Sequence, residues 1–171
     1  MIRKIYAVFG IMLLAAIFLT KIDSATFANT NANTKTWIVA KDGSGNFSTI
    51  YEAISNDSVS AGDVIFVKTG LYTENLVINK SISLIGEDPS STTIYGDGTR
   101  NVIYINADDV KIINFTITGS GTGPFHSAVY VNSSSVVTLS NNKIINNTNG
   151  IILYFSAGDL IFDNTIENLS L

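Results

Sequence analysis

"SNNKIINNTNGI", Ser140 to Ile151, is the stretch whose reading decides the fold. Five of its twelve residues are asparagine, and they interrupt a run that otherwise has strand character. Asparagine is depleted in strands, tolerates left-handed backbone and prefers turns. Isoleucine has the opposite preference. The stretch therefore reads as very short strands separated by tight bends.

The same arrangement recurs along the chain. "DDVKIINFTITG" runs from Asp108, "SSVVTLSNNKII" from Ser134 and "GDLIFDNTIEN" from Gly158. Each has a polar pair, a short apolar alternation, a polar step (Asn114, Asn141, Asp163) and then an isoleucine. Ile117, Ile144 and Ile166 fall at equivalent places, spaced by 27 and 22 residues. Ile82, in "KSISLIGEDPSSTTI", precedes Val110 by 28. The strands "NVIYI" from Asn101, "SAVYV" from Ser127 and "NGIIL" from Asn149 repeat as well, aligning Ile103, Val129 and Ile151.

A period of 20 to 30 residues with several short strands and no helical pattern means a solenoid. The strands are too closely spaced for units with intervening helices. The Leu/Asn consensus of leucine-rich repeats is missing. The expected fold is all-β, a right-handed parallel β-helix, with equivalent strands stacked at ~4.8 Å and alternate apolar residues pointing into one core. In that fold Asn114, Asn141, Asn142 and Asn164 form a structural stack at the bends, their amides bonding up and down the helix. Asn146 and Asn147 are structural candidates of the same kind.

A solenoid needs its first coil covered. "TIYEAIS", Thr49 to Ser55, supplies a short helix with a capping box, Thr49 and Glu52, and an apolar face of Ile50, Ala53 and Ile54. "DVIFVKTGLYTENLVI" follows, read as a strand over Val64–Val67, a turn at Gly70 and a strand around Leu76–Ile78.

At this point the chain resembles a known family. "TWIVAKDGSGNFSTIYEAI" and "GDVIFVKTGLYTENLVINKSISLIGEDPSSTTIYG" are similar to the opening of the pectin methylesterase superfamily, and to the right-handed β-helix domains of prokaryotic surface proteins, including the NosD type. The similarity covers Trp37 to about Gly98. It implies a pectin-lyase-like solenoid. In the family, later motifs supply a glutamine, two aspartates and an arginine for ester hydrolysis through paired carboxylates. The region for the glutamine reads "HSAVYV", with His126 and Ser127 instead. No "QDT"-like or "DFIFG"-like segment is present, and "LIFDN" at Leu160–Asn164 belongs to the repeat. Arg100 lies too early to match. No catalytic residue is carried over. If the protein is an enzyme, it is pectinesterase-like, with its catalytic motifs beyond this chain.

Composition sets the remaining expectations. The 171 residues are 46% hydrophobic and 14% charged, contain no cysteine and carry a formal charge of −4. Disorder, a thiolate metal site and a nucleic-acid footprint are all disfavoured. "MIRKIYAVFGIMLLAAIFLTKIDSATFA" reads as a secretory signal peptide over residues 1–28, cleaved after Ala28. Its apolar core, Ile5–Leu19, is shorter than the ~20 residues a spanning helix needs, so no membrane span is expected after cleavage. Residues 29–36 form a polar linker, and residues 37–171 the β-helix, expected to be incomplete at its C-terminal end or to self-associate through an open end.

Site candidates are sparse. Tyr104 and Tyr130 recur at matching positions, and alternation with Ile103, Ile105, Val129 and Val131 turns them outward, where they could contact sugar rings. Asn46, Asn56, Asn79, Asn114, Asn132, Asn146 and Asn168 each begin N-x-S/T and are candidate N-glycosylation sites. Asp108, Asp109, Asp159 and Asp163 fall near turns. Asp109 and Asp159 are assigned similar places two coils apart, ~10 Å, too far to share a calcium ion. No cofactor is expected: copper finds no Cys and no second His, and calcium finds only these sparse turn carboxylates. His126, the lone histidine, follows the glycine-rich loop Gly119–Phe125 and has no partner for a closed metal site. The expected protein is a secreted or cell-surface domain that binds polysaccharide or neighbouring surface proteins, or has a purely structural role.

Overall fold

Short apolar alternations, many of them ended by a residue in left-handed backbone, make the chain turn after three to six strand residues. The computed structural model describes residues 34–170, and the signal-peptide reading and most of the linker lie outside them. The first strand among the described residues is β1 (Thr36–Val39), so Thr36, assigned to the linker above, is already strand. The capping helix α1 (Ile50–Ser55) follows. The first coil is β2 (Val64–Val67), β3 (Gly70–Thr73) and β4 (Leu76–Ile78). The second is β5 (Ser83–Gly86), β6 (Thr92–Tyr95) and β7 (Ile103–Ile105). The third is β8 (Lys111–Ile113), β9 (Thr116–Thr118) and β10 (Ser127–Asn132). The fourth is β11 (Thr138–Ser140), β12 (Lys143–Ile145) and β13 (Asn149–Tyr154), and β14 (Leu160–Phe162) and β15 (Thr165–Glu167) begin another.

Strands stack by position within the coil. Sheet A runs β1-β2-β5-β8-β11-β14, sheet B runs β3-β6-β9-β12-β15, and sheet C runs β4-β7-β10-β13. Every pairing is parallel. This is the expected right-handed parallel β-helix. The predicted equivalences hold: Ile117, Ile144 and Ile166 are register partners, as are Ile103, Val129 and Ile151. Gly70 is a correction. It opens β3, because its strand pairs with β6, and the bend is the preceding Lys68-Thr69.

The core is built of inward columns. Ile65, Leu84, Ile112 and Leu139 form one, Tyr72, Ile94, Ile117 and Ile144 a second, and Ile78, Ile105 and Val131 a third, all buried. The next members, Ile161, Ile166 and Leu153, are 42%, 43% and 44% exposed. At the other end, Ile50, Ala53 and Ile54 of α1 are buried against the stack. The capping box is present, and Glu74 adds to it, its carboxylate accepting from the Ile50 and Tyr51 amides at 3.2 and 2.8 Å.

Three corners join the sheets, and each has its own chemistry. The A-to-B corner holds Asn114, Asn141 and Asp163, at φ of 65, 52 and 54°, each followed by one further residue. The Asn141 Nδ2 donates to Asn114 Oδ1 at 2.8 Å. Asn142 lies in the neighbouring column, fully inside. It accepts from the Phe115 amide, donates to the Ile112 carbonyl and donates to Asn164 Oδ1. The predicted stack is thus two parallel ladders, Asn114–Asn141 outside and Asn142–Asn164 inside. Gly86 precedes Asn114 in its column; a Cβ there would lie 2.2 Å from the Asn114 carbonyl oxygen.

The C-to-A corner, together with the equivalent entry into β2 from α1, is held by carboxylates. Asp63 is buried and accepts from the Lys35 amide, the Trp37 indole and the Ser60 amide at 2.9, 2.9 and 3.0 Å. In the same column Asp159 accepts from the Val137 amide, and Asp108, two places earlier in its coil, accepts from the Ser135 amide. Register corrects the pairing of Asp109 with Asp159: Asp109 aligns with Val136 and Gly158, and Asp159 falls one residue further on. Asp109, Val136 and Gly158 share left-handed backbone, at φ of 55, 61 and 72°. The B-to-C corner, by contrast, varies in length from coil to coil.

Candidate functional site

Of the three outer faces, that of sheet C has no charged side chain in its outward columns. Sheet A carries Lys111 outward, and sheet B carries Lys143 and Glu167. Strand alternation turns Val77, Tyr104, Tyr130 and Ile152 outward in one column of sheet C, and Asn79, Asn106, Asn132 and Tyr154 in the next. Ile105 and Val131, between them, are buried. Tyr104 and Tyr130 are therefore outward and half-buried. Their rings lie nearly parallel, 5.7 Å between centroids with 12° between planes. Tyr154 continues the row at 6.4 Å, and Phe155 closes on it edge-on at 4.5 Å.

A second polar ladder borders this face where the strands of sheet C begin. The Asn75 amide donates to the Asn101 carbonyl at 2.7 Å. Asn101 Oδ1 accepts from both the amide and the hydroxyl of Ser127, at 2.7 and 3.1 Å. Asn149 donates to the His126 carbonyl at 2.7 Å. Sequence reasoning missed this ladder, although Asn101, Ser127 and Asn149 open the three repeated strands quoted above. Beside it is a cavity of about 250 Å³ lined by Asn75, Leu76, Val77, Arg100, Asn101 and Tyr104. Arg100 reaches only an exposed Asp97, at 3.4 Å.

His126 and Ser127, where the resemblance places a catalytic glutamine, are committed to the fold. Ser127 is fully buried. His126 Nδ1 accepts from the Gly123 amide at 3.1 Å, and Gly121 and Gly123 lie so close to the imidazole that a side chain on either would collide with it. The loop is therefore folded around His126, with Gly121 buried and Phe125 68% exposed. Asp108 and Asp159 are occupied with backbone amides, and Asp109 and Asp163 sit exposed at bends. Among the described residues no three His, Cys, Asp or Glu side chains converge as a metal site would require, and no helix is long and apolar enough to cross a membrane.

The electrostatics are local. Burial pushes the Asp63 carboxyl up, but its hydrogen bonds from Ser60, Trp37 and Lys35 outweigh burial and hold it below the usual carboxylate range. Asp42, Asp88 and Asp97 are lowered by hydrogen bonds from Ser44, Ser90 and Thr99, two residues on. These are turn carboxylates with structural partners. The sequons divide: Asn46, Asn79, Asn146 and Asn168 are exposed, and Asn56, Asn114 and Asn132 are half-buried.

Comparison with known proteins places this geometry in a family. The pectinesterase family model matches residues 36–122, just over half of the chain. The chain belongs to the pectinesterase family. It is 42% identical over 91 residues to the probable pectinesterase/pectinesterase inhibitor 17 of Arabidopsis thaliana, covering 53% of this chain and 14% of that protein. It is 34% identical over 100 residues to a cell surface glycoprotein of Methanothermus fervidus, covering 58% of this chain and 16% of that one. The chain thus spans less than a quarter of the curated relatives it matches. Among solved structures, a pectin methylesterase in complex with a hexasaccharide superposes with a TM-score of 0.57 at 22% identity, covering 68% of this chain and 44% of that one. The carrot pectin methylesterase gives 0.53 at 21%, covering 77% and 52%. These two likenesses establish the shared β-helix fold.

Proposed function

We propose that this pectinesterase-family domain is exported to the cell surface and holds polysaccharide on the outer face of sheet C without hydrolysing it. The observation that carries the reading is the stacked pair Tyr104 and Tyr130, with Tyr154 of the next column against it and asparagines on either side. Tyrosine offers an apolar body with a polar tip, and asparagine offers both donor and acceptor, the combination that neutral sugar hydroxyls and ring faces require. Arg100, at the edge of the adjacent cavity, supplies a cation for an acidic sugar. The cell surface glycoprotein among the relatives supports a surface location. The buried Ser127 at the expected glutamine position supports the lack of hydrolysis on this face.

The test is a glycan array and a pectin-esterase assay on the same purified protein, with light scattering for the expected self-association. Binding without methanol release, weakened at least about tenfold by the Tyr104→Ala/Tyr130→Ala pair, supports the reading; about 1.4 kcal/mol corresponds to that factor. Methanol release sinks it. A second reading, favoured by the family match over residues 36–122, is that the domain is the N-terminal part of a pectinesterase-like enzyme. Catalytic motifs encoded downstream in the gene, with activity only in the longer product, distinguish the two.

A further inference from the structure

Strand β10 ends Tyr130-Val131-Asn132, and Ser133 and Ser134 complete an N-x-S sequon. Alternation places Tyr130 and Asn132 on one outward face, about 6.7 Å apart along the strand, with Val131 buried between them. That separation is about the reach of one sugar ring on its amide linkage. The Asn132 side chain makes no hydrogen bond among the described residues; Ser134 bonds only its carbonyl, at 2.9 Å. Three other sequons differ. The Oδ1 atoms of Asn46, Asn56 and Asn114 are held by the Ile38 amide, the Ser58 amide and Asn141. Beside Asn132 the ring of Tyr130 is stacked on that of Tyr104, and the ring of Tyr154, the register partner of Asn132, lies 6.4 Å from the Tyr130 ring, so the row presents its exposed ring edges to solvent.

We propose that Asn132 is an N-glycosylation site whose first sugar packs against the exposed edge of the Tyr130–Tyr104 stack, making this aromatic row a seat for the protein's own glycan. The proposal rests on the exported reading above but not on binding of an external polysaccharide. Transfer joins Asn132 Nδ2 to C1 of a sugar carried on a lipid phosphate. The bond from C1 to the phosphate oxygen breaks, its electron pair leaves with the phosphate, and Nδ2 gives up one proton. The lipid-linked donor and the transferase belong to the host. Once attached, the sugar lays its C–H face on tyrosine surface that otherwise meets water, and that buried area stabilises the coil. A seated glycan also covers part of the face proposed for polysaccharide, so glycosylation and external binding compete.

The full chain is produced in a eukaryotic secretory host, and its peptides are mapped by mass spectrometry. The expected result is a glycan on the Asn132 peptide. An unmodified Asn132 peptide overturns the site, whatever the other six sequons carry. The seat is read by thermal melting. Glycosylated protein is expected to melt about 3 °C above Asn132→Gln. In a Tyr130→Ala background the same comparison should shrink to under about 1 °C, with Tyr104→Ala as a second background should the first fold poorly. Equal shifts with and without the tyrosines overturn the seat. Glycan-array binding by Asn132→Gln tests the polysaccharide reading separately, so failure of one proposal does not pass for failure of the other.

Discussion

Two corners of the coil meet the same need with different chemistry. At the A-to-B corner, backbone groups inside the bend are satisfied by amides, chiefly Asn142 and Asn164. At the C-to-A corner they are satisfied by carboxylates, Asp63, Asp108 and Asp159. An amide can donate and accept, so it continues a ladder from coil to coil. An ionised carboxylate can only accept, so each ties its coil to one neighbour and does not pass the bond on. The difference teaches that the asparagine column propagates register along the stack, whereas the aspartates anchor it at separate points.

The largest effect is expected from Asp63→Ala, which leaves three donors without their acceptor. A loss of about 4 kcal/mol is expected in urea unfolding followed by fluorescence of Trp37, the only tryptophan. Next comes Asn142→Ala. Its amide is buried and bonds the Phe115 amide, the Ile112 carbonyl and Asn164, so about 3 kcal/mol should be lost. Asn164→Ala, in the half-buried next coil, should cost about 1 kcal/mol. A cost for Asn164 equal to that for Asn142 would break the view of the ladder as graded by burial.

Acid tests the carboxylate side of the contrast through Asp63. The folded pKa of Asp63 is depressed, so its contribution is fully present above the unfolded carboxyl value of about 3.9. It is lost as pH falls below that value and through the folded pKa. The Trp37 signal should therefore show stability falling below about pH 4 in the wild type, with a shallower fall in Asp63→Asn. Parallel acid profiles for the two proteins would exclude Asp63 as the source. The smallest effect is a gain. Val136 is β-branched yet sits at φ of 61°, so Val136→Gly should raise stability by about 1 kcal/mol, read as a melting rise of about 3 °C.

Much of the architecture was legible because the bends are chemically marked. An asparagine or aspartate followed three residues later by an isoleucine locates the A-to-B corner in each later coil, and those assignments survive as register partners. Thr49 and Glu52 mark the cap just as clearly. The C-to-A corner was misread by one residue at Asp159, because offsets between coils change from 26 at Ile103–Val129 to 27 at Lys111–Thr138 and 22 at Thr138–Leu160. Gly70 looked like a turn because glycine usually signals one; pairing with β6 overrides that preference. The ladder of Asn75, Asn101 and Ser127 was hidden because serine and asparagine do the same work with different letters. The outward placement of Tyr104 and Tyr130 followed from alternation, but their mutual stacking depends on strand spacing and was invisible in one dimension.

The B-to-C corner varies more in length than the other two. It takes two residues after β3, seven after β6, eight after β9 and three after β12, while the strands on either side stay in register. Pitch and rim are therefore separate variables, as on a screw whose thread is cut independently of its head. A lineage can lengthen, shorten or exchange the segment beside Tyr104 or Tyr130 one turn at a time, redrawing the border of the sheet C face without recutting the thread beneath it.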